Sequence, residues 1–204
     1  MTDLLIVAAT LVLLVSVVLP LLARPRHRDG RRIRCIRSLK QIGLDFRMWS
    51  NHHNDQFPWM VTTNQGGTLE FAGSTTVFLH FQAASNELST PKILSCRCDT
   101  SKVATNDFSA FDNQNLGYFI GLTSDQSDPQ AILSDDHNLM TNGVVLGSGV
   151  FRLTTNTVMG WTKVIHPGVG NIILSDGSAQ QTTSGALQLQ LQRSGLEVNR
   201  FAVP

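Results

Sequence analysis

Cysteine, histidine and aspartate are the residues of this chain whose types could support chemistry. The three cysteines are Cys35, Cys96 and Cys98. Cys35 and Cys96 are far enough apart to close a long loop as a disulfide in an oxidising compartment, with buried thiols as the alternative, whereas Cys96 and Cys98 are too close to pair without strain. A zinc site at Cys96 and Cys98 would need further ligands, and no His or Cys pair follows nearby at the usual spacing.

One histidine and one aspartate come nearest to a catalytic pair. His166 is followed by nine residues and then by Asp176, but nothing else in the sequence completes a nucleophile and a base around them. The alternative is structural, with His166 at the start of a strand and Asp176 and Gly177 in the tight turn of a hairpin. No nucleophile elbow or phosphate-binding loop occurs, so the sequence predicts that the protein is not an enzyme.

An acidic loop offers a second kind of site. Its carboxylates could supply oxygen ligands to Ca²⁺, although their spacing differs from that of an EF-hand loop. These residues are Asp125, Asp128, Asp135 and Asp136. Because of this spacing the sequence favours a solvated acidic loop, so we expect no cofactor, with this calcium ion as the alternative.

The N-terminal segment predicts an uncleaved transmembrane helix over residues 1–23, with a buried soluble helix as the alternative. From Leu4 to Ala23 no residue is charged, and a helix of about 20 residues spans the roughly 30 Å of a bilayer core. Seven arginines follow between Arg24 and Arg37. We expect these arginines to bind anionic lipid headgroups and not nucleic acid, because no aromatic residues are interleaved among them. Because positive charges next to a span tend to stay in the cytoplasm, these arginines favour a cytoplasmic location for the C-terminal domain. The cysteines favour an oxidising compartment on the other side of the membrane.

The rest of the sequence predicts an α+β arrangement. Residues 24–55 are expected to continue the first helix, because apolar residues recur there at helical spacing: Cys35, Leu39, Ile42, Phe46 and Trp49. Residues 56–204 are expected to form a globular domain. Helices are predicted at 76–88 and 184–193, and short strands at 92–95, 116–122, 131–133, 143–146, 158–161, 171–174 and 178–182, the last two as a hairpin.

A helix that is apolar in its first half and amphipathic in its second is typical of pilins. The start of the chain resembles a shortened methylation motif of the pilin-like prepilins that are abundant in planctomycetes and verrucomicrobia, with Asp3 in place of the glutamate and Pro20 at the family's spacing. Segment 31–44 is similar to the family's basic-Cys-x-x-Leu-Lys-Gln-x-Gly-Leu segment. His166, Asp176 and Gly177 fit its His-x9-Asp-Gly signature.

This resemblance implies a pilin-like fold, with a long N-terminal helix packed on a small antiparallel sheet. It implies a single-pass inner-membrane protein whose globular domain is periplasmic or otherwise extracytoplasmic. Its expected function is that of a pseudopilin or pilin-like subunit of a type II secretion or type IV filament system. Other such subunits and membrane lipid are the expected partners, with Asp3 and Pro20 taking part in assembly. Asp3 as a plain interfacial residue is one alternative, and an anchored binding module that does not polymerise is the other.

Overall fold

The computed structural model describes the backbone of residues 2–22 and 27–204 and the side chains of residues 2–18 and 32–204. It divides the chain into two compact units, Met1–Arg31 and Arg32–Pro204. Helix α1 is Thr2–Leu22 and helix α2 is His27–Asn51. The predicted boundary between residues 23 and 24 lies outside the described residues.

The N-terminal helix corrects the membrane prediction. In the part of the chain that the structure describes, no helix is both long enough and apolar enough to cross a membrane. The predicted pilin-like fold with a transmembrane first half is therefore wrong. The description as a single-pass pilin-like membrane protein of a secretion system, located in the inner membrane, depended on that span and is wrong with it.

The second unit is built mainly on antiparallel β-structure. Nine strands are present among the described residues: β1 (Tyr118–Gly121), β2 (Ile132–Asp136), β3 (Leu139–Thr141), β4 (Val144–Val145), β5 (Gly149–Thr154), β6 (Met159–Trp161), β7 (Val169–Leu174), β8 (Ala179–Thr183) and β9 (Val198–Val203). Six of them form one sheet in the order β5-β9-β1-β2-β7-β8, and three form a second sheet in the order β4-β3-β6. Every strand pairing in both sheets is antiparallel.

The larger sheet separates two apolar cores, because successive side chains of a strand point to opposite faces. One core contains the buried face of α2 together with Ile120, Leu133, Ile173 and Ala202. The other contains Leu187 and Leu191 of helix α5 (Ser184–Arg193) together with Phe119, Ile132, Ile172 and Phe201. The sheet is thus covered by a helix on each face.

Several predicted elements are confirmed. All five residues of the predicted apolar face of α2 are buried, and α5 has the predicted bounds. Strands β7 and β8 pair as the predicted hairpin, with Gly177 of the turn at φ 82°.

Other elements differ from the predictions. The predicted helix at 76–88 is interrupted at Ala84, giving α3 (Phe78–Ala83) and α4 (Ser85–Leu88). The predicted strand at 92–95 is a 3-10 helix, Pro91–Leu94, whose N-cap Thr90 accepts a hydrogen bond from the amide of Lys92. Proline presets φ for the first turn of a helix. This local preference of Pro91 explains why the segment is helical, although its apolar residues predicted a strand.

Helix α2 approaches the sheet most closely at Gly43. A β-carbon at this position would clash with the Cδ1 atom of Ile173 in β7. We therefore expect Gly43→Ala to lower the free energy of unfolding by about 1–3 kcal/mol, as overpacking typically does, in urea denaturation. Gly185→Ala is the matched helical control, because Gly185 of α5 faces open space. Equal losses of unfolding free energy in the two variants would contradict the close contact between α2 and β7 at Gly43.

Asp45, on the same helix, predicts an unusual pH dependence. Burial raises the pKa of this carboxyl to about 6, although the Gln41 side chain donates a hydrogen bond to it at 2.8 Å. A carboxyl whose pKa is higher in the folded state stabilises the fold at low pH, and this stability is lost as pH rises through the folded-state pKa. Between pH 5 and pH 8 we expect the parent protein to lose about 1–2 kcal/mol of unfolding free energy relative to Asp45→Asn.

Urea denaturation of both proteins at the two pH values measures this difference. Asp55→Asn, which removes an exposed carboxylate, corrects for the change in net charge. Parallel pH profiles for the parent and Asp45→Asn would show that the pKa of Asp45 is not raised.

Candidate metal centre

Three cysteine sulfurs and one imidazole converge in the second unit. Cys35 comes from α2, Cys96 and Cys98 follow the 3-10 helix Pro91–Leu94, and His166 lies between β6 and β7. Their potential ligand atoms all lie within 4.8 Å of one another. Among the described side chains, this is the only group of three or more His, Cys, Asp or Glu residues placed to share a metal ion.

Cys35 reaches this group because it belongs to the buried face of α2. It is 2% exposed and packs in the same core as Leu39 and Ile42, which lie one and two turns further along the helix. The periodicity that buries this face therefore also directs the sulfur of Cys35 inward.

The segment that carries Cys96 and Cys98 is fixed to the sheet by backbone hydrogen bonds. The amide of Gly117, just before β1, donates to the carbonyl of Leu94 at 2.8 Å, and the amide of Asp99 donates to the carbonyl of Cys96 at 2.9 Å. The second bond closes a turn around Cys98. A β-carbon at Gly117 would lie 3.1 Å from the amide nitrogen of Cys96, so glycine allows the segment to approach β1 closely.

A hydrogen-bonded contact between Asp99 and His137 holds the far side of this turn. The Asp99 carboxylate lies 2.7 Å from Nε2 of His137 and accepts two further hydrogen bonds from Ser101. Burial acts to raise the pKa of Asp99, but the hydrogen bonds from His137 and Ser101 outweigh it and lower the pKa to about 2. The turn that presents Cys96 and Cys98 is therefore anchored at both ends.

His166 is positioned by a buried carboxylate. Its Nε2 atom lies 3.5 Å from the sulfur of Cys96 and 3.6 Å from Oδ2 of Asp136. That oxygen also accepts hydrogen bonds from the amide and the side chain of Asn171, each at 2.9 Å. Because His166 is 1% exposed, its ring is confined between the sulfurs and β2.

The measured separations fit tetrahedral zinc. The sulfurs of Cys35 and Cys98 are 3.9 Å apart, and the sulfur of Cys96 is 3.5 Å from the His166 nitrogen. Zinc bonds of about 2.3 Å to sulfur and about 2.0–2.1 Å to nitrogen, arranged tetrahedrally, place two sulfurs about 3.8 Å apart and a sulfur and a nitrogen about 3.5 Å apart. These two separations therefore match those that tetrahedral zinc requires, and the remaining ones are no longer than 4.8 Å.

Hydrogen bonds, burial and neighbouring charges shift the pKa values of the group. The hydrogen bond with Cys96 lowers the pKa of Cys35 to about 4 against the effect of burial, and the same hydrogen bond, together with burial, raises the pKa of Cys96. Burial lowers the pKa of His166, but the hydrogen bond with Cys35 and the charge of Asp136 outweigh it, so the net shift is upward. A divalent cation would have to displace the protons that Cys96 and His166 retain, because metal ligands bind in their deprotonated forms.

The structure brings together only some of the residues singled out in the sequence. Cys35, Cys96 and His166 meet, whereas Asp176 lies in the exposed β7–β8 turn, where it accepts a hydrogen bond from the amide of Ser178 at 2.8 Å. His166 and Asp176 thus do not share a site. In this structure the cysteines are thiols, and the Cys35–Cys96 disulfide stays a prediction.

The four aspartates of the predicted calcium site do not form a ligand group in the described part of the chain. Asp125 and Asp128 accept local hydrogen bonds from the amides of Ser127 and Gln130. Asp135 and Asp136 are fully buried in β2. The remaining predicted site residues lie in the other unit, where Asp3 is exposed on α1 and Pro20 lies near the end of that helix.

Sequence reasoning considered a zinc site at Cys96 and Cys98, but it missed that Cys35 and His166 join them, and it missed Asp136 as the neighbour of His166. Zinc sites are recognised in sequences by pairs of ligands at short spacing, whereas here a Cys-x-Cys pair joins two single residues from distant segments. One feature of the sequence could have indicated the site: its three cysteines and His166 together make up the four ligands that a zinc site needs.

No model of a known protein family matches the sequence, no characterised protein matches it, and no solved structure matches the fold. The resemblance to pilin-like prepilins therefore stays a prediction. The predicted role as an assembly subunit and its alternative, a binding module that does not polymerise, also stay predictions.

Proposed function

We propose that this protein is a metal-binding structural module that holds one Zn²⁺ through Cys35, Cys96, Cys98 and His166. The observation that carries the proposal is the convergence of four potential ligand atoms within 4.8 Å of one another, with one sulfur–sulfur and one sulfur–nitrogen separation that match tetrahedral coordination. Thiolate and imidazole are also the ligands that favour zinc over the hard cations Mg²⁺ and Ca²⁺.

The completeness of the ligand set supports a structural role and not a catalytic one. Catalytic zinc sites keep one coordination position open for water or substrate, whereas structural sites are closed by four protein ligands. Three cysteines and one histidine fill all four positions. This reading agrees with the prediction that the protein is not an enzyme.

The metal would join three distant parts of the fold. It would tie the N-terminal half of α2 to the segment that precedes β1 and to the loop that precedes β7. These contacts are long-range in sequence, so the bound ion would oppose separation of the helix from the sheet. The free energy of metal binding would then contribute directly to folding. The Asp136 carboxylate, whose Oδ2 lies 3.6 Å from the same His166 nitrogen that faces Cys96, would add negative charge beside the ion.

Metal analysis of the protein purified without chelators tests the proposal. We expect one zinc ion per chain. Substitution with Co²⁺ should give the intense visible absorption of tetrahedral cobalt together with thiolate charge-transfer bands. A metal-free protein whose Cys35 and Cys96 resist alkylation until a reductant is added would overturn the proposal in favour of the predicted disulfide.

A further inference from the structure

A basic cleft lies beside the candidate metal centre. It has a volume of about 180 Å³ and opens between α2 and the segment 92–97. Four cationic side chains and two hydroxyls line it: Arg34, Arg37, Lys92, Arg97, Ser38 and Ser95. Among the described residues that line it, none is a carboxylate. We propose that this cleft binds a phosphate group.

The arrangement of the cations favours a specific site over a uniformly solvated face. Arg34 and Arg37 are three residues apart, so they lie on the same side of α2, and Lys92 and Arg97 meet them from a separate segment. The chain as a whole has a formal charge of only +1, so this concentration of positive charge is local. Like charges gathered in one concave surface raise the local concentration of anions.

The chemistry of the lining suits phosphate. Guanidinium groups bind phosphate oxygens through paired N–H donors, and such charge-assisted hydrogen bonds are about twice as strong as neutral ones. Arg37, Lys92 and Arg97 are exposed, so their charged groups can turn towards a ligand. The hydroxyls of Ser38 and Ser95 could donate to the remaining oxygens.

The cleft shares its framework with the metal centre. The Cys35 side chain is part of the lining and stands between Arg34 and Arg37 in the sequence, while Arg97 stands between Cys96 and Cys98. A metal held by these cysteines would fix both cation-bearing segments. We therefore expect phosphate to bind more tightly to the metal-loaded protein than to the chelated one. This coupling rests on the proposed metal site, whereas the phosphate site itself does not.

The same cations also offset the charge of the metal centre. A zinc ion with three thiolates carries a net charge of about −1, and the sulfur of Cys35 borders the cleft. Four cations exceed this charge, so the cleft would stay positive with the metal in place. A phosphate carrying up to two negative charges could then be accommodated.

Titration of the zinc-loaded protein with inorganic phosphate at constant ionic strength, followed by calorimetry, tests the proposal. We expect the double variant Arg37→Gln/Arg97→Gln to bind phosphate at least about tenfold more weakly, the loss that 1.4 kcal/mol represents. Arg152→Gln/Arg193→Gln is the matched control, because these two arginines are exposed elsewhere in the fold. Metal content, measured for every variant, shows whether the cysteine segments remain intact.

The outcomes separate the two proposals. A double variant that retains zinc and binds phosphate as tightly as the parent would overturn the proposal that the cleft binds phosphate. A protein without zinc whose phosphate binding is still lost in the double variant would overturn the metal centre and leave the cleft standing.

Vesicles distinguish the source of the phosphate. Binding to vesicles of anionic phospholipid but not to inorganic phosphate, again abolished by the double variant, would identify a lipid headgroup. Binding to inorganic phosphate with no preference for anionic over neutral vesicles would identify a soluble ligand. Binding to neither would overturn the proposal.

Discussion

Replacement of Cys96 by serine is expected to weaken zinc binding by more than about 100-fold. Loss of a residue that only supports a metal ligand typically costs 10–100-fold in affinity, and Cys96 is proposed to bind the metal itself. A serine hydroxyl stays protonated at neutral pH and cannot replace a thiolate. Competition with a chromophoric chelator measures the loss.

The same substitution is expected to abolish the effect of chelators on stability. In the parent protein a strong chelator should lower the unfolding temperature, because the metal binds the folded state and not the unfolded one. Cys96→Ser should unfold at the same temperature with and without chelator. Asp176→Asn is the control, because it alters the other half of the His-x9-Asp-Gly signature in a turn outside the metal centre.

Cys98→Ser separates the metal centre from the predicted disulfide. Four-ligand coordination requires all three sulfurs, so each cysteine variant should lose zinc. A Cys35–Cys96 disulfide would make Cys98 dispensable. A Cys98→Ser protein as stable as the parent, together with destabilised Cys35→Ser and Cys96→Ser proteins, would therefore contradict the metal centre.

Local periodicity explains which parts of the fold could be predicted from the sequence. The apolar face of α2 and the Asp176-Gly177 turn each follow from a few neighbouring residues. Strand β9 was missed, although it lies between β5 and β1 in the sheet. Its sequence has no clear alternation, because Ala202 and Val203 are buried on opposite faces of the sheet. A central strand covered on both sides does not show the pattern of a half-exposed one.

The metal centre illustrates the limit of local reasoning. Cys35 and Cys96 were paired in the disulfide hypothesis, whereas His166 belonged to a separate hypothesis with Asp176. Only the tertiary fold brings α2, the segment before β1 and the loop before β7 to one point. The membrane prediction shows a second limit, because in the described part of the chain no helix is long and apolar enough to cross a membrane. The apolar composition of residues 4–23 was read directly as a span.

The C-terminal half of α2 packs against an aromatic cluster that contains none of the candidate metal ligands. Phe46 is fully buried, and its ring centroid lies 5.4 Å from that of Trp59 and 5.3 Å from that of Phe81. Phe46→Ala is expected to lower the free energy of unfolding by about 3–5 kcal/mol through lost burial and the resulting cavity. Urea denaturation with zinc present measures this loss. Met48→Ala is the control, because Met48 lies on the exposed side of the same helix.

Hydrogen exchange then tests whether the candidate metal centre and the aromatic cluster stabilise α2 separately. Chelation of the parent protein should accelerate amide exchange around Cys35 and leave the amides around Phe46 protected. Phe46→Ala should instead accelerate amide exchange around Phe46 and leave the amides around Cys35 protected, because local opening depends on the contacts that hold each segment. Under conditions in which it remains folded, this variant should also keep the tetrahedral cobalt spectrum. A folded Phe46→Ala protein without that spectrum would show that the aromatic cluster and the metal centre form one cooperative unit.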